Sequence, residues 1–239
     1  ASGSVESVYA KTVLLATRGM GRVFSASSNN YESTGDGLAL ALNAGIPLQD
    51  MEFVQFHSAA IYGKSEMSGR AREQVPVAPA VQYCMGGIPT DTRTRVLVDE
   101  KGMPVKGLFA AGECACLNVH GANALGGNGV LEALVFGRIA GKETAALAME
   151  QKWPAPNGKH ERRAAARVNA LLKGNGNRSP HETRMELQRL MTRHCGMLRN
   201  KRGLKALLKG LSACRAQASH WEPGDRGKHF NTGLVEALE

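Results

Sequence analysis

The stretch that decides the fold is Gly107-Leu-Phe-Ala-Ala-Gly112-Glu113-Cys-Ala-Cys116-Leu-Asn-Val-His120-Gly-Ala-Asn-Ala124-Leu-Gly126-Gly127-Asn128-Gly129-Val130-Leu-Glu-Ala-Leu-Val-Phe-Gly-Arg-Ile-Ala-Gly141. It opens on an apolar run of strand character that stops at Gly112-Glu113, passes through a glycine-rich turn, and continues with apolar residues at helical spacing. A strand feeding such a turn and then a helix presents backbone N–H groups and a positive helix end to an anion or an electron-rich ring. The glycines allow close approach of the backbone, and Glu113 offers a carboxylate to sugar hydroxyls.

Outward from this segment the first two-thirds of the chain reads as alternating strands and helices. Val8 to Thr17 predicts a buried strand, Arg18 to Gly21 a turn, and Gly37 to Asn43 a short helix closed by Gly45. Phe53 to His57, Val75 to Tyr83, Val96 to Asp99 and Leu108 to Ala111 are further strands, with Pro104 to Gly107 an exit from a turn. A long helix is expected from Val130 to Met149, with Gly137 and Gly141 spaced to admit another backbone. Trp153-Pro-Ala-Pro-Asn-Gly158 marks a boundary, after which three helices follow at Lys159 to Lys173, His181 to Leu198 and Lys201 to Ser219. Met185, Leu187, Leu190, Met191 and Leu198 form the apolar stripe of the second. The expectation is an α/β domain over residues 1–152 and a helical domain over 153–239.

Composition narrows the function. A hydrophobic share of 43% supports a buried core, and no apolar run is long enough to span a bilayer. The N-terminal residues lack the order of a signal peptide, and the expectation is a soluble or peripheral protein. The net charge of +9 gathers beyond Lys159, interleaved with apolar residues as on a solvated helix face; this argues against nucleic acid as the main ligand and leaves an acidic protein or an anionic lipid surface. Five irregularly spaced cysteines make no disulfide framework, and no second cysteine or histidine pair joins Cys114 and Cys116 as metal ligands.

Five segments, in order, resemble the flavoprotein subunits of the succinate dehydrogenase and fumarate reductase family. They are Leu15-Ala-Thr17-Arg-Gly19-Met-Gly-Arg-Val23, Ser33-Thr-Gly-Asp36-Gly37 to Gly45, Asp50-Met-Glu-Phe-Val-Gln-Phe-His57, Met85-Gly-Gly-Ile-Pro-Thr-Asp91 and the glycine-rich segment itself. The resemblance covers roughly Val8 to Ala148, and the helical remainder is consistent with that family's C-terminal domain. It implies a partial FAD-binding, Rossmann-like domain followed by a C-terminal helical module. It also implies cofactor contacts at Thr17, Gly19, Asp36, Tyr83, Gly112, Glu113, Gly126, Gly127, Asn128, Gly129 and Val130. His57 corresponds to the substrate histidine, and Arg70 is a candidate remnant of the proton-relay arginine region. The family's chemistry moves electrons between a dicarboxylate and FAD and on to an iron–sulfur subunit, at the cytoplasmic or matrix face of a membrane.

The pattern also breaks. Ser58-Ala59 replaces the usual Pro-Thr after His57, and Gln82 stands where a histidine precedes the tyrosine. Ala124 occupies the carboxylate-binding arginine position and Gly129 that of a serine beside the flavin. Alanine cannot reproduce a bidentate charged donor. The sequence contains no GxGxxG unit for the FAD pyrophosphate, and only Ser58 to Gln74 lies where the family carries a capping domain. Three readings fit: a piece of a longer enzyme, a catalytically inactive paralogue with a structural or assembly role, and a chain whose flavin site is completed by another. L-aspartate oxidase shares several of these motifs, so the substrate stays open between it and the succinate/fumarate branch.

Overall fold

The computed structural model describes residues 5–61, 77–99, 102–176, 178–222, 224–229 and 231–238. The chain divides into two compact units: Thr12–Gln151, and Lys152–Glu239 together with Ala1–Lys11.

In the first unit β1 (Val13–Leu15) pairs in parallel with β6 (Pro104–Ala110), which pairs antiparallel with β5 (Arg95–Leu97). β2 (Val54–Ile61) and β3 (Val77–Cys84) form an antiparallel ribbon with irregular register after Gln55 and after His57. β4 (Ile88–Pro89) runs parallel to β7 (Ala115–Cys116). Two helices complete the unit, α1 (Asp36–Asn43) and the 23-residue α2 (Asn128–Glu150). Leu38, Ala41, Ile46, Ile88, Val96 and Ala110 form its core, joined by Cys114 and Ala115.

The other unit contains α3 (Lys159–Leu172), α4 (Pro180–His194), α5 (Lys201–Gln217) and α6 (Thr232–Leu238). A capping box starts α4: the Ser179 hydroxyl accepts from Glu182 N–H, and the Glu182 carboxylate accepts from Ser179 N–H. Asn200 caps α5 through Gly203 N–H. Buried Leu172, Leu207, Cys214 and Leu234 tie the helices together, and Trp221 Nε1 donates to the buried Thr183 hydroxyl at 3.0 Å.

Several expectations change. The first strand keeps only Val13–Leu15, because β6 offers a parallel partner at Leu108, Phe109 and Ala110 alone; Val8 is exposed. Pro104 to Gly107 belongs to β6, where proline takes the first strand position. α1 starts one residue earlier than expected, at Asp36, with Gly35 as its N-cap at a positive φ of 88°. Gly137 and Gly141 face open space among the described residues rather than an approaching backbone. Leu198 lies beyond the end of α4 at 89% exposure, and Met185 is partly exposed, so neither belongs to a core stripe. α6 went unread, since seven residues carry too little periodicity.

Candidate active site

The site grows from the C-terminal end of β6. Gly112, with a φ of 74°, turns the chain out of the sheet and delivers Glu113 beneath two other segments. Cys84 N–H donates to Glu113 Oε1 at 3.0 Å, and Gly19 N–H is a second donor to this carboxylate. Gly19 has no room for a side chain: a Cβ there would fall 2.5 Å from Glu113 Oε1. Burial raises the Glu113 carboxyl above the ordinary range; the two backbone donors and Arg18 oppose the shift, while Glu132 adds to it. Gly37, in α1, packs its Cα against the Thr17 hydroxyl. Asp36 Oδ1 accepts from the Thr34 hydroxyl at 2.9 Å, so α1 enters beside the turn that carries Thr17 and Gly19.

The Met85-Gly86-Gly87 corner is equally constrained. A Cβ on Gly86 would overlap the Asp50 carbonyl, and one on Gly87 would lie 2.5 Å from the Cys114 carbonyl oxygen. Gly87 and Gln49 exchange backbone hydrogen bonds at 2.9 Å each. The corner therefore locks the end of the β2–β3 ribbon against β7.

The glycine-rich turn is different, because its far side is open. A Cβ on Gly126 or Gly127 would meet nothing within 4 Å. Gly127, the N-cap of α2, has a φ of 84°, and no side chain caps the helix. Asn128 N–H donates to the Leu125 carbonyl and Val130 N–H to the Gly127 carbonyl, so what the turn offers is a long helix start without a side-chain cap and with a clear approach, which suits an anion or an electron-rich ring. Gly129 is closed on its other side by Tyr83, whose ring edge would lie 2.7 Å from a Cβ there. Ala124 is buried, and its carbonyl accepts from Gln55 Nε2 at 2.9 Å. Sequence reading missed Gln55 and Glu132 as supporting residues, since their contacts, to Ala124 and to His120, span |i−j| of 69 and 12 and leave no local pattern.

His57 lies exposed in β2, and Arg70 lies outside the described residues. The buried thiols of Cys84 and Cys116 are pushed up to about 12 and about 11 by burial, which makes them inert packing groups. Among the described residues no cluster of metal-ligating side chains occurs, and no helix is long and apolar enough to cross a membrane.

Residues 1–74 and 69–130 match the FAD binding domain family, and residues 184–239 match the fumarate reductase flavoprotein C-terminal family. The chain belongs to the succinate dehydrogenase and fumarate reductase flavoprotein family. The succinate dehydrogenase flavoprotein subunit of Coxiella burnetii is 30% identical over 96% of this chain and 54% of its own length. L-aspartate oxidase from Streptomyces coelicolor is also 30% identical, over 96% of this chain and 52% of its own. The structure of Mycobacterium smegmatis Sdh1 in complex with UQ1 superposes with a TM-score of 0.82 at 26% identity, covering 95% of this chain and 51% of that one. The chain therefore spans about half the length of the flavoproteins it matches. FAD is the cofactor of this flavoprotein family. The residues present fit its electron-rich ring and sugar: an uncapped helix start behind an open glycine bed, with the Glu113 carboxylate at the adjoining strand end.

Proposed function

We propose that this chain contributes the cofactor-facing turn and the helical domain of an FAD-dependent oxidoreductase acting on a dicarboxylate, with electrons leaving to an iron–sulfur partner at a membrane face. The observation that carries this reading is the open glycine bed at the uncapped start of α2, beside Glu113. When bound, FAD supplies the two-electron chemistry. The chain's own part is to offer the open backbone of Gly126 and Gly127 at the start of α2, to hold the Glu113 carboxylate towards hydroxyl donors, and to line the turn with Tyr83. Thr17, Gly19, Asp36 and Gly112 shape the far wall through the packing of α1 and the exit from β6. His57, and Arg70 by resemblance, are the proposed substrate-side residues.

A second reading has its own support. Ala124 puts a buried methyl where the family's arginine binds carboxylate, and Gln82 replaces a histidine. A chain with those side chains holds flavin yet lacks the paired charge that a dianion needs in a dry site, as a structural or assembly subunit would.

The experiment is the visible spectrum of the purified chain after incubation with FAD and gel filtration, followed by a succinate oxidation assay. A flavin band that travels with the protein and supports turnover favours the oxidoreductase. A retained band with no turnover, restored by Ala124→Arg, favours the inactive paralogue. A colourless protein overturns the flavin reading for this chain alone.

A further inference from the structure

Three side chains from separate elements meet behind the glycine-rich turn: Tyr83 near the end of β3, His120 just before the turn, and Glu132 in the first turns of α2. The His120 and Glu132 side chains are only 4% and 3% exposed. Tyr83 OH donates to Glu132 Oε2, and His120 Nε2 lies 2.8 Å from the same oxygen. The two rings meet edge to face, with centroids 5.2 Å apart and planes at 78°. His120 Nδ1 is buried with no hydrogen-bond partner. A buried N–H without an acceptor is rarer than an acceptor without a donor, so the geometry assigns the ring proton to Nε2, where it donates to Glu132. Burial and Glu132 together push the Tyr83 phenol upward, which keeps its proton in place as the second donor.

The consequence reaches the turn. His120 and Glu132 bracket it, so their bond closes residues 120–132 into a loop. Tyr83, held by Glu132, lays its ring against Gly129 in the space a side chain there would fill, which accounts for glycine in place of serine. Gln55 holds the middle of the loop through the Ala124 carbonyl.

We propose that Glu132 is a positioning residue: one carboxylate oxygen draws in Tyr83 and His120 and fixes the glycine-rich turn in its receptive shape before any cofactor arrives. The cofactor's identity rests on the flavin reading above; the clamp itself does not. A turn ordered in advance loses less freedom on binding, so Glu132 tightens the complex by positioning its neighbours.

The test uses the full 239-residue chain. Nitrogen-15 spectra of His120 report the tautomer, amide hydrogen exchange reports the turn, and flavin fluorescence reports FAD affinity. The expected results are a proton on Nε2 and, in Glu132→Ala, exchange at residues 121–131 faster by about tenfold while amides of β1 and β6 keep their protection. FAD affinity then falls by a similar factor, and Glu132→Gln recovers part of it by still accepting from Tyr83. Tyr83→Phe, which removes one donor and leaves the ring, is the milder variant should Glu132→Ala not fold; it loosens the same amides to a smaller extent. A proton on Nδ1, an unchanged turn, or loosening spread equally through the sheet overturns the proposal. A wild-type chain that takes up no FAD sinks the flavin reading, and the tautomer and exchange results still decide the clamp.

Discussion

Glycine at position 87 is set by a backbone oxygen rather than by a turn. A Cβ there would fall 2.5 Å from the Cys114 carbonyl, and backbone yields less readily than a side-chain tip. Gly87→Ala is expected to cost about 1–3 kcal/mol of stability in urea titration, the range for overpacking a filled site; a cost near zero means that β4 and β7 separate freely. Glu113 makes a prediction in pH. Its folded carboxyl is raised by burial, so the folded protein holds that proton more tightly than the unfolded chain does. The group then favours folding below the unfolded value of about 4.3, and that contribution is lost as pH rises through the raised folded value. Glu113→Gln, which still accepts from Cys84 N–H, is expected to raise the urea midpoint at pH 7 and to leave it unchanged at about pH 4. No gain at neutral pH shows that the backbone donors outweigh the burial. Neither residue's constraint is visible in its neighbours along the chain, because both partners arrive from other elements.

Elements differ in how much of their design is local. The start of α4 is written in sequence: Ser179, Pro180 and Glu182 stand at the N-cap, the first helical position and the third, and the capping box follows. Ser179→Ala is expected to lower stability by about 1 kcal/mol, read as a shift in thermal unfolding, with Ser179→Asp close to neutral. α2 shows the opposite case. Its helical period was legible, but Val130, Leu131, Leu134 and Val135 are exposed by 45% or more. An apolar stripe says that a face is to be covered and does not say by what. Leu134→Lys is therefore expected to leave thermal stability within about 0.5 kcal/mol and to reduce self-association in light scattering. A large loss of stability places Leu134 in a packed core instead.

At the scale of the whole molecule, the chain's two compact units each carry their own buried residues, so unfolding is expected to depart from a single two-state transition. Calorimetry should resolve two components, with Gly87→Ala moving one and Ser179→Ala the other; a single peak moved by both variants refutes independent units. The sequence by itself determined the alternation of strand and helix, the family resemblance and the glycine-rich turn with Glu113. Those features rest on periodicity, glycine and proline punctuation, and residues adjacent in the chain. Only the tertiary structure decided how short β1 is, that β2 and β3 pair as an antiparallel ribbon, and that Gln55, Tyr83, His120 and Glu132 converge behind the turn. Strand length depends on the partner's reach, and a buried polar cluster is assembled across elements that no local pattern relates. The sequence therefore marked out the glycine-rich turn, and the fold brought Tyr83, His120 and Glu132 together behind it.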